Sequence, residues 1–318
     1  MANYRGIKGF KVQSLASDPT FVEGQIWYNT ASFALKYAAV GAAAWAAGGD
    51  LNQKREEAGS AKSGTQSAGM VFGGNAPGAG YLDQTEQYNG TAWTEVNDMV
   101  KGRSWTAGLG INTAAMAVAG NYPDDANYDE IWDGTSWTET ANTNTRRVGG
   151  GATGTTTAGL IAGGSPGNTK TETWNGTSWT EVADILAANS YAGCVGSTTA
   201  ALFYGGSYPA KNTSQSWNGT SWTEGNNLLT ARYSIGNFGL TTAAMCVGGT
   251  ADPPVLANTE QYNGTSWTET GDLGTARSSV TGFGTTALGL VAGGTPTGVV
   301  STEEFDASPE AAKTVTVS

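Results

Sequence analysis

An all-β propeller of six four-stranded antiparallel blades is the architecture this chain predicts, and three observations predict it. The block Asn-Gly-Thr-Ser-Trp-Thr-Glu stands at residues 175–181, 218–224 and 263–269, with near-copies at 89–95 and 133–139. Its tryptophans, Trp93, Trp137, Trp179, Trp222 and Trp267, are 42 to 45 residues apart, the period of a supersecondary unit repeated radially. Each period also holds an apolar run ending in a glycine pair, and a lone Trp segment near the N-terminus matches a Trp strand missing at the other end.

Each period reads as four strands, a to d. Strand a opens near Arg55, Arg103, Arg147, Asn189, Arg232 or Arg277. A turn of small residues leads to strand b, apolar and closed by Gly-Gly at residues 70–74, 159–164, 201–206, 244–249 and 289–294, and by Ala119-Gly120 in the second period. A loop of varied sequence follows. Strand c carries Glu-x-aromatic, with Glu86, Glu130, Glu172, Glu260 and Glu303 in one column and Gln215 in the fourth period. Asn-Gly between c and the Trp strand d is a hairpin signal, and a type I′ turn needs positive φ at both positions. The sixth strand c ends at Phe305 with no Trp strand after it, while Trp45 precedes Arg55 by the same ten residues as Trp93 precedes Arg103. The segment around Trp45 is therefore expected to complete the last blade and remove two open sheet edges. The domains expected are residues 1–37 as an N-terminal attachment segment, 38–306 as the propeller and 307–318 as a β-prone tail that adds a strand or pairs with a partner.

Composition narrows function. The 318 residues carry a net charge of −11 with only 16 Lys and Arg, which argues against nucleic acid and anionic membrane surfaces as partners. The absence of histidine removes His-based acid–base catalysis, Ser-His-Asp and Cys-His nucleophiles and the commonest transition-metal ligand. Cys194 and Cys246 lie in apolar strand-like runs and read as buried thiols, too few for a disulfide framework. No window reaches 18 uninterrupted apolar residues and the N-terminus lacks a signal-peptide core, so no membrane insertion and no export are expected.

The frame Asp-Leu-x-x-x-Arg, Gly-Gly, Glu-x-aromatic and Trp, complete in Asp272-Leu273, Arg277, Gly293-Gly294 and Glu303 to Phe305, resembles the Kelch repeat. The likeness covers about residues 38–306; the second period departs at Ala119 and the fourth at both Asn189 and Gln215. The Asn-Gly-Thr-Ser-Trp-Thr-Glu variety, preceded by Gly24-Gln-Ile-Trp-Tyr-Asn-Thr30, is similar to Kelch-type virion proteins of tailed, notably marine, bacteriophages. The resemblance implies a tail-fibre-like or appendage protein of the virion, assembled in the host cytoplasm. It would dock on other virion proteins through the N-terminal segment, with Ile26, Trp27 and Tyr28 in the contact, and meet a host-surface glycan or protein. Capsid decoration or a tail component without a receptor role is the alternative, and an envelope polysaccharide-degrading enzyme a further one. Monomer and trimer both stay open.

The residues set out three candidate chemistries. Charge is lost from the Arg and Glu columns in the same period, which points to a pair within each blade; losing both partners of a buried pair costs far less than losing one. The loops between b and c hold seven of the nine prolines together with Tyr81, Tyr122, Asp124, Asp125, Tyr128, Tyr208 and Lys211, the expected ligand face. Asp125-Ala-Asn127-Tyr-Asp129 has alternating oxygen spacing, but Glu130 stands where a calcium loop needs Gly and Ser136 where it needs Glu, so an acidic surface loop is expected. Kelch enzymes of the galactose-oxidase type need histidine copper ligands, and nothing places two glycosidase carboxylates together. The chain is expected to be no enzyme, with no cofactor and no metal.

Overall fold

The computed structural model describes residues 12–20, 22, 24–121, 127–166, 168–207, 209–296, 299–308 and 310–314. All its regular elements are β-strands. The chain forms two units, Ala44–Asp306 and a smaller one made of Met1–Ala43 with Ala307–Ser318.

The larger unit is propeller-like, with six four-stranded antiparallel sheets among the described residues. The first contains Gly59–Ser60, Gly69–Phe72, Thr85–Tyr88 and Trp93–Val96; the second Ala107–Ile111, Ala114–Val118, Glu130–Trp132 and Trp137–Glu139. The third contains Gly151–Thr155, Ala158–Ala162, Thr171–Trp174 and Trp179–Val182; the fourth Gly193–Gly196, Ala201–Tyr204, Ser214–Trp217 and Trp222–Glu224. The fifth contains Gly236–Leu240, Ala243–Val247, Thr259–Tyr262 and Trp267–Glu269. The sixth pairs Thr281–Gly284, Leu288–Ala292 and Thr302–Asp306 with Ala44–Ala47, bringing Trp45 opposite Phe305.

The c–d hairpins depart from the type I′ expectation. Tyr88 pairs with Trp93, so four residues, not two, lie between the paired ends. Gly90 has φ 93°, but Asn89 keeps negative φ, and its Oδ1 accepts the amides of Thr91 and Ala92, both at 2.9 Å. The turn therefore needs a side-chain oxygen at its first position, which is why Asp133 serves equally in the second sheet, accepting from Thr135 and Ser136. The hairpin closes on a cross-strand aromatic pair with centroids 5.0 to 5.6 Å apart in the first five sheets, each contributing roughly 0.5–1.5 kcal/mol beyond its buried area.

Packing is sheet against sheet rather than around one core. Leu109, Met116 and Val118 of the second sheet meet Ala152, Ile161 and Trp174 of the third, and Leu290 and Ala292 of the sixth meet Val71 and Trp93 of the first. Outer-strand indoles join neighbouring sheets. Trp137 Nε1 donates to Thr85 Oγ1 at 2.9 Å, Trp222 to Thr171 at 3.0 Å, Trp45 to Thr259 and Trp93 to Thr302, both at 3.1 Å.

Backbone hydrogen bonds also run from sheet to sheet. The second residue of each Gly-Gly pair, and of Ala119-Gly120, donates to the next column carbonyl: Gly74, Gly120, Gly164, Gly206, Gly249 and Gly294 to Arg103, Arg147, Asn189, Arg232, Arg277 and Arg55 respectively. The glycine before it needs to be small: a Cβ on Gly163 would stand 2.4 Å from the Asn189 carbonyl oxygen, at φ 64°.

Within each of five repeats the column arginine meets the column glutamate. Arg55 Nη2 lies 2.7 Å from Glu86 Oε1, Arg103 Nη1 2.6 Å from Glu130 and Arg232 Nη2 2.7 Å from Glu260; Arg147 pairs with Glu172 and Arg277 with Glu303. Each pair is buried and further bonded. Arg232 Nη1 donates to the Gly248 and Asn258 carbonyls, and Glu260 accepts the Leu229 and Thr230 amides.

In the smaller unit Gln13–Leu15 runs parallel to Ile26–Asn29, which pairs with Ala34–Val40, which pairs with Glu310–Thr314. The tail expected as a separate segment thus shares a sheet with the N-terminal strands, and residues 38–43 belong to this unit, because the strand from Ala34 runs on to Val40 before the chain leaves. Asp18 accepts from Trp27 Nε1, Asn29 Nδ2 and Lys36 Nζ, and the Lys36 ammonium, ahead of Asn29, holds its carboxyl below the usual range.

Arg232→Met alone should destabilise by about 3–5 kcal/mol, because Glu260 is left buried and uncompensated, and adding Glu260→Gln should recover part of that loss. Glutamine keeps an acceptor oxygen for Leu229 N. Denaturant unfolding of the four members of this cycle measures the coupling; additive losses would contradict an energetically coupled pair.

Candidate functional face

The loops between b and c and the links entering strand a emerge at one end of the six sheets. Six equivalent bridges fix this: Glu56 with Asn75, Ser104 with Asn121, Val148 with Ser165, Ser190 with Ser207, Tyr233 with Thr250 and Ser278 with Thr295. One residue further along each link lies a ring of main-chain hydrogen bonds. Glu57 N donates to Ser279 O, Trp105 to Glu57, Gly149 to Trp105, Tyr191 to Gly149, Ser234 to Tyr191 and Ser279 to Ser234, at 2.7 to 3.2 Å. All six residues have φ between 51° and 65°.

Their side chains line the mouth of a central pocket. Trp105 and Tyr191 stack edge to face with centroids 4.4 Å apart, which requires Gly149, since a Cβ there would stand 2.4 Å from the tyrosine ring. Burial, opposed by the Ser104 hydroxyl, raises the Glu57 carboxyl above its usual range. Deeper in, five sheets have a glycine with positive φ (Gly110, Gly154, Gly196, Gly239 and Gly284) where the first has Lys62. Lys62 Nζ donates to the Ala152 carbonyl at 3.2 Å, and burial pulls its pKa down to about 8. The pocket holds about 70 Å³, room for a few waters rather than a sugar ring. A sugar ring at this end could therefore reach only the mouth and the surrounding loops.

The loop residues expected to meet a ligand have different fates. Tyr81 lies on a short hairpin, Asn75–Ala76 with Gly80–Tyr81; it is 41% exposed and its Oη accepts from Asn121 Nδ2 at 2.9 Å. Tyr128 is 3% exposed, with Lys101 Nζ 3.8 Å from its ring centroid, so it offers no free face for stacking. Lys211 sits beside the fourth sheet with Nζ on the Ala188 carbonyl. Tyr122, Asp124, Asp125 and Tyr208 lie outside the described residues. Of the attachment residues, Ile26 is 50% exposed and Trp27 is buried. The column residues Arg55, Arg103, Arg147, Arg232 and Arg277, with Glu86, Glu130, Glu172, Glu260 and Glu303, are buried and engaged with one another. Cys194 and Cys246 are buried thiols whose pKa burial pushes up to about 12, which makes both poor nucleophiles.

The mouth ring was missed in the sequence, although its signal is there. Two residues after each column position stand Glu57, Trp105, Gly149, Tyr191, Ser234 and Ser279, six positions with five residue types inside a nearly constant frame.

Asp129, expected on an acidic surface loop, is instead fully buried. It occupies the position held by Thr or Ser in the other repeats, and its carboxylate accepts the amides of Ala119 at 2.7 Å and Thr143 at 2.8 Å. The equivalent Thr or Ser residues, Thr85, Thr171, Ser214, Thr259 and Thr302, are buried as well, so the position beside strand c, not the loop, sets its burial. Burial pushes its pKa up to about 7 despite both amides and nearby Arg103. A carboxyl with a folded pKa above its unfolded value of about 3.9 binds a proton more tightly in the native state. Its contribution is thus fully present below about pH 4 and is lost as pH rises through about 7. The thermal midpoint should therefore fall between pH 5 and 8 (roughly this window), and Asp129→Asn should flatten that slope; an unchanged slope in the variant would exclude Asp129 as its source.

The chain matches no protein-family model, and no curated protein is significantly similar to it.

Proposed function

We propose that the six sheets are the blades of a closed Kelch-type propeller. In this reading the chain is a non-enzymatic virion protein of a tailed bacteriophage, a tail-fibre-like appendage that attaches to a host-surface glycan or protein through its loop face. Closure is supported by the two sets of backbone hydrogen bonds, each of which returns to its starting sheet after six steps. The observation that carries the attachment reading is the division of labour between columns and loops. The repeated charged residues are consumed in buried scaffold pairs, while the varied side chains Glu57, Trp105, Tyr191 and Tyr81 stand at one end of the sheets. Repeated scaffold with varied loops is how binding modules separate stability from recognition. The virion assignment rests on the likeness of the Asn-Gly-Thr-Ser-Trp-Thr-Glu repeats to Kelch-type phage proteins.

A second reading, a decoration or tail component without a receptor, draws on the smaller unit. Val12, Val22, Ile26, Leu35 and Phe33, the last 81% exposed, present apolar surface suited to a neighbouring virion protein. The two readings differ in what the loop face does.

The labelled full chain should bind selected bacterial-surface glycans on an array, or whole cells. Combined Tyr81→Ala and Trp105→Ala should weaken binding by about tenfold or more, on the scale of one lost aromatic contact, with the variant still folded by circular dichroism. Binding that ignores both changes, or binding to no envelope component, would overturn attachment through this face. Release of oligosaccharide from envelope material would overturn the non-enzymatic assignment.

A further inference from the structure

The fourth repeat differs from the other five at the point where they bury a guanidinium. In the fifth, Glu260 Oε2 accepts Leu229 N at 2.7 Å, and Oε1 accepts both Thr230 N at 3.1 Å and Arg232 Nη2 at 2.7 Å. In the fourth, Gln215 Oε1 accepts Leu186 N at 2.9 Å, the counterpart of Leu229. That bond fixes the amide orientation and turns Nε2 toward the position the arginine fills elsewhere. Asn189, shorter than arginine, donates Nδ2 to the Gly205 carbonyl at 2.8 Å and accepts Ser190 N on Oδ1 at 3.0 Å, and makes no bond to Gln215. Gln215 Nε2 and Ala187 N, the counterpart of Thr230 N, have no hydrogen bond to the protein. Gln215 as a whole is only 6% exposed, and its unpaired Nε2 is the part of it that stays open to the cavity.

A cavity of about 380 Å³ lies here, lined by Leu186, Ala187, Lys211, Thr213, Gln215 and Glu224 among others. The polarity of the spot is inverted relative to the other repeats. Where they present acceptors to a guanidinium, this one presents donors: an amide NH₂, a main-chain N–H and the ammonium of Lys211, which spends one donor on the Ala188 carbonyl at 2.6 Å. Converging donors of this kind call for an oxygen acceptor, best of all a carboxylate. On the adjoining strand Glu224, paired in register with Gln215, is exposed and accepts only, so it calls for hydroxyl donors. Leu186 is exposed beside them and offers an apolar edge.

We infer that the fourth sheet carries a pocket for a carboxylated sugar, a uronic acid. Its carboxylate meets Gln215 Nε2, Ala187 N and Lys211, and its hydroxyls meet Glu224 and Thr213. A simple carboxylic acid would satisfy the donors and leave Glu224 without a partner; a neutral sugar would meet Glu224 with its hydroxyls but offer the donors, Lys211 among them, only uncharged acceptors. The volume suits one sugar residue at the low end of ligand-pocket sizes. Burial lowers the Lys211 pKa, an effect that a bound carboxylate would oppose. This inference rests on the attachment reading, whose glycan class it names.

Titration calorimetry of the full chain with sodium glucuronate, glucose and glutarate tests it. Glucuronate should bind at least tenfold tighter than either of the others. Asn189→Arg with Gln215→Glu installs the ion pair of the other five repeats in the cavity; it should abolish glucuronate binding while the thermal midpoint holds or rises. Should that double variant fail to fold, Lys211→Met should weaken binding at least tenfold with the midpoint unchanged. No glucuronate binding, equal binding by a folded double variant, or glutarate binding as tightly as glucuronate would each overturn the pocket. Cell or glycan-array binding without glucuronate binding removes the pocket and spares attachment; glucuronate binding with no cell or array binding does the opposite.

Discussion

Each regular repeat hangs on one buried guanidinium. In the fifth sheet Arg232 ties together the Gly-Gly turn through the Gly248 carbonyl, strand c through the Asn258 carbonyl and the Glu260 carboxylate, and through that carboxylate the link carrying Leu229 and Thr230. Three pieces of chain, the link that carries Arg232, the Gly-Gly turn and strand c, meet at one planar fork, a geometry lysine cannot supply. The same residue acts outward as well. The carbonyl of each column residue accepts the amide of the preceding sheet's second glycine, so Arg103 holds its own repeat with its side chain and its neighbour with its backbone. Since a buried charge without its partner costs several kcal/mol, this one position couples the order inside a sheet to the order between sheets.

The fourth repeat shows which of these roles can be given up. Asn189 keeps the backbone role, its carbonyl accepting Gly164 N at 2.8 Å, and abandons the ionic one. The sheet still forms because its packing is carried by Cys194, Phe203, Trp217 and Trp222 against Leu160 and Ala162 of the third. What remains where the guanidinium would lie is space and unsatisfied donors. The repeat is thus structurally sufficient and chemically different, the combination a repeat array needs if one unit is to do something the others do not.

Much of this was legible in the chain because the repeats report on one another. Spacing of the tryptophans set the period, and the orphan Trp45 matched the strand missing after Phe305, which is where Ala44–Ala47 pairs. Loss of charge at Asn189 and Gln215 together pointed to contact between the columns, and five ion pairs lie there. The misses came where a local signal has two physical readings. Asn-Gly suggested a two-residue turn, but the Asn side chain caps a four-residue one. Tyr128 and Asp129 looked like exposed loop residues, yet both are buried beside strand c, where the Asp129 carboxylate accepts two amides. The β-prone end of the chain gave no sign that its partner was the strand Ala34–Val40, because strand pairing over such a separation leaves no local trace.

The mouth ring carries its own argument about function. Its geometry is held by main-chain N–H to carbonyl bonds, which any residue with an amide supplies. The required φ of 51° to 65° is costly for residues with a Cβ, about 1–2 kcal/mol each, and free for glycine. Stability alone would therefore favour glycine at all six positions. Only Gly149 obliges, and there the Tyr191 ring demands it. Five positions instead bear the strain of Glu, Trp, Tyr and two Ser residues at a pocket too small to hold a sugar. Side chains kept at a conformational cost, and varied where the frame around them is constant, are what the proposed attachment through this face would use.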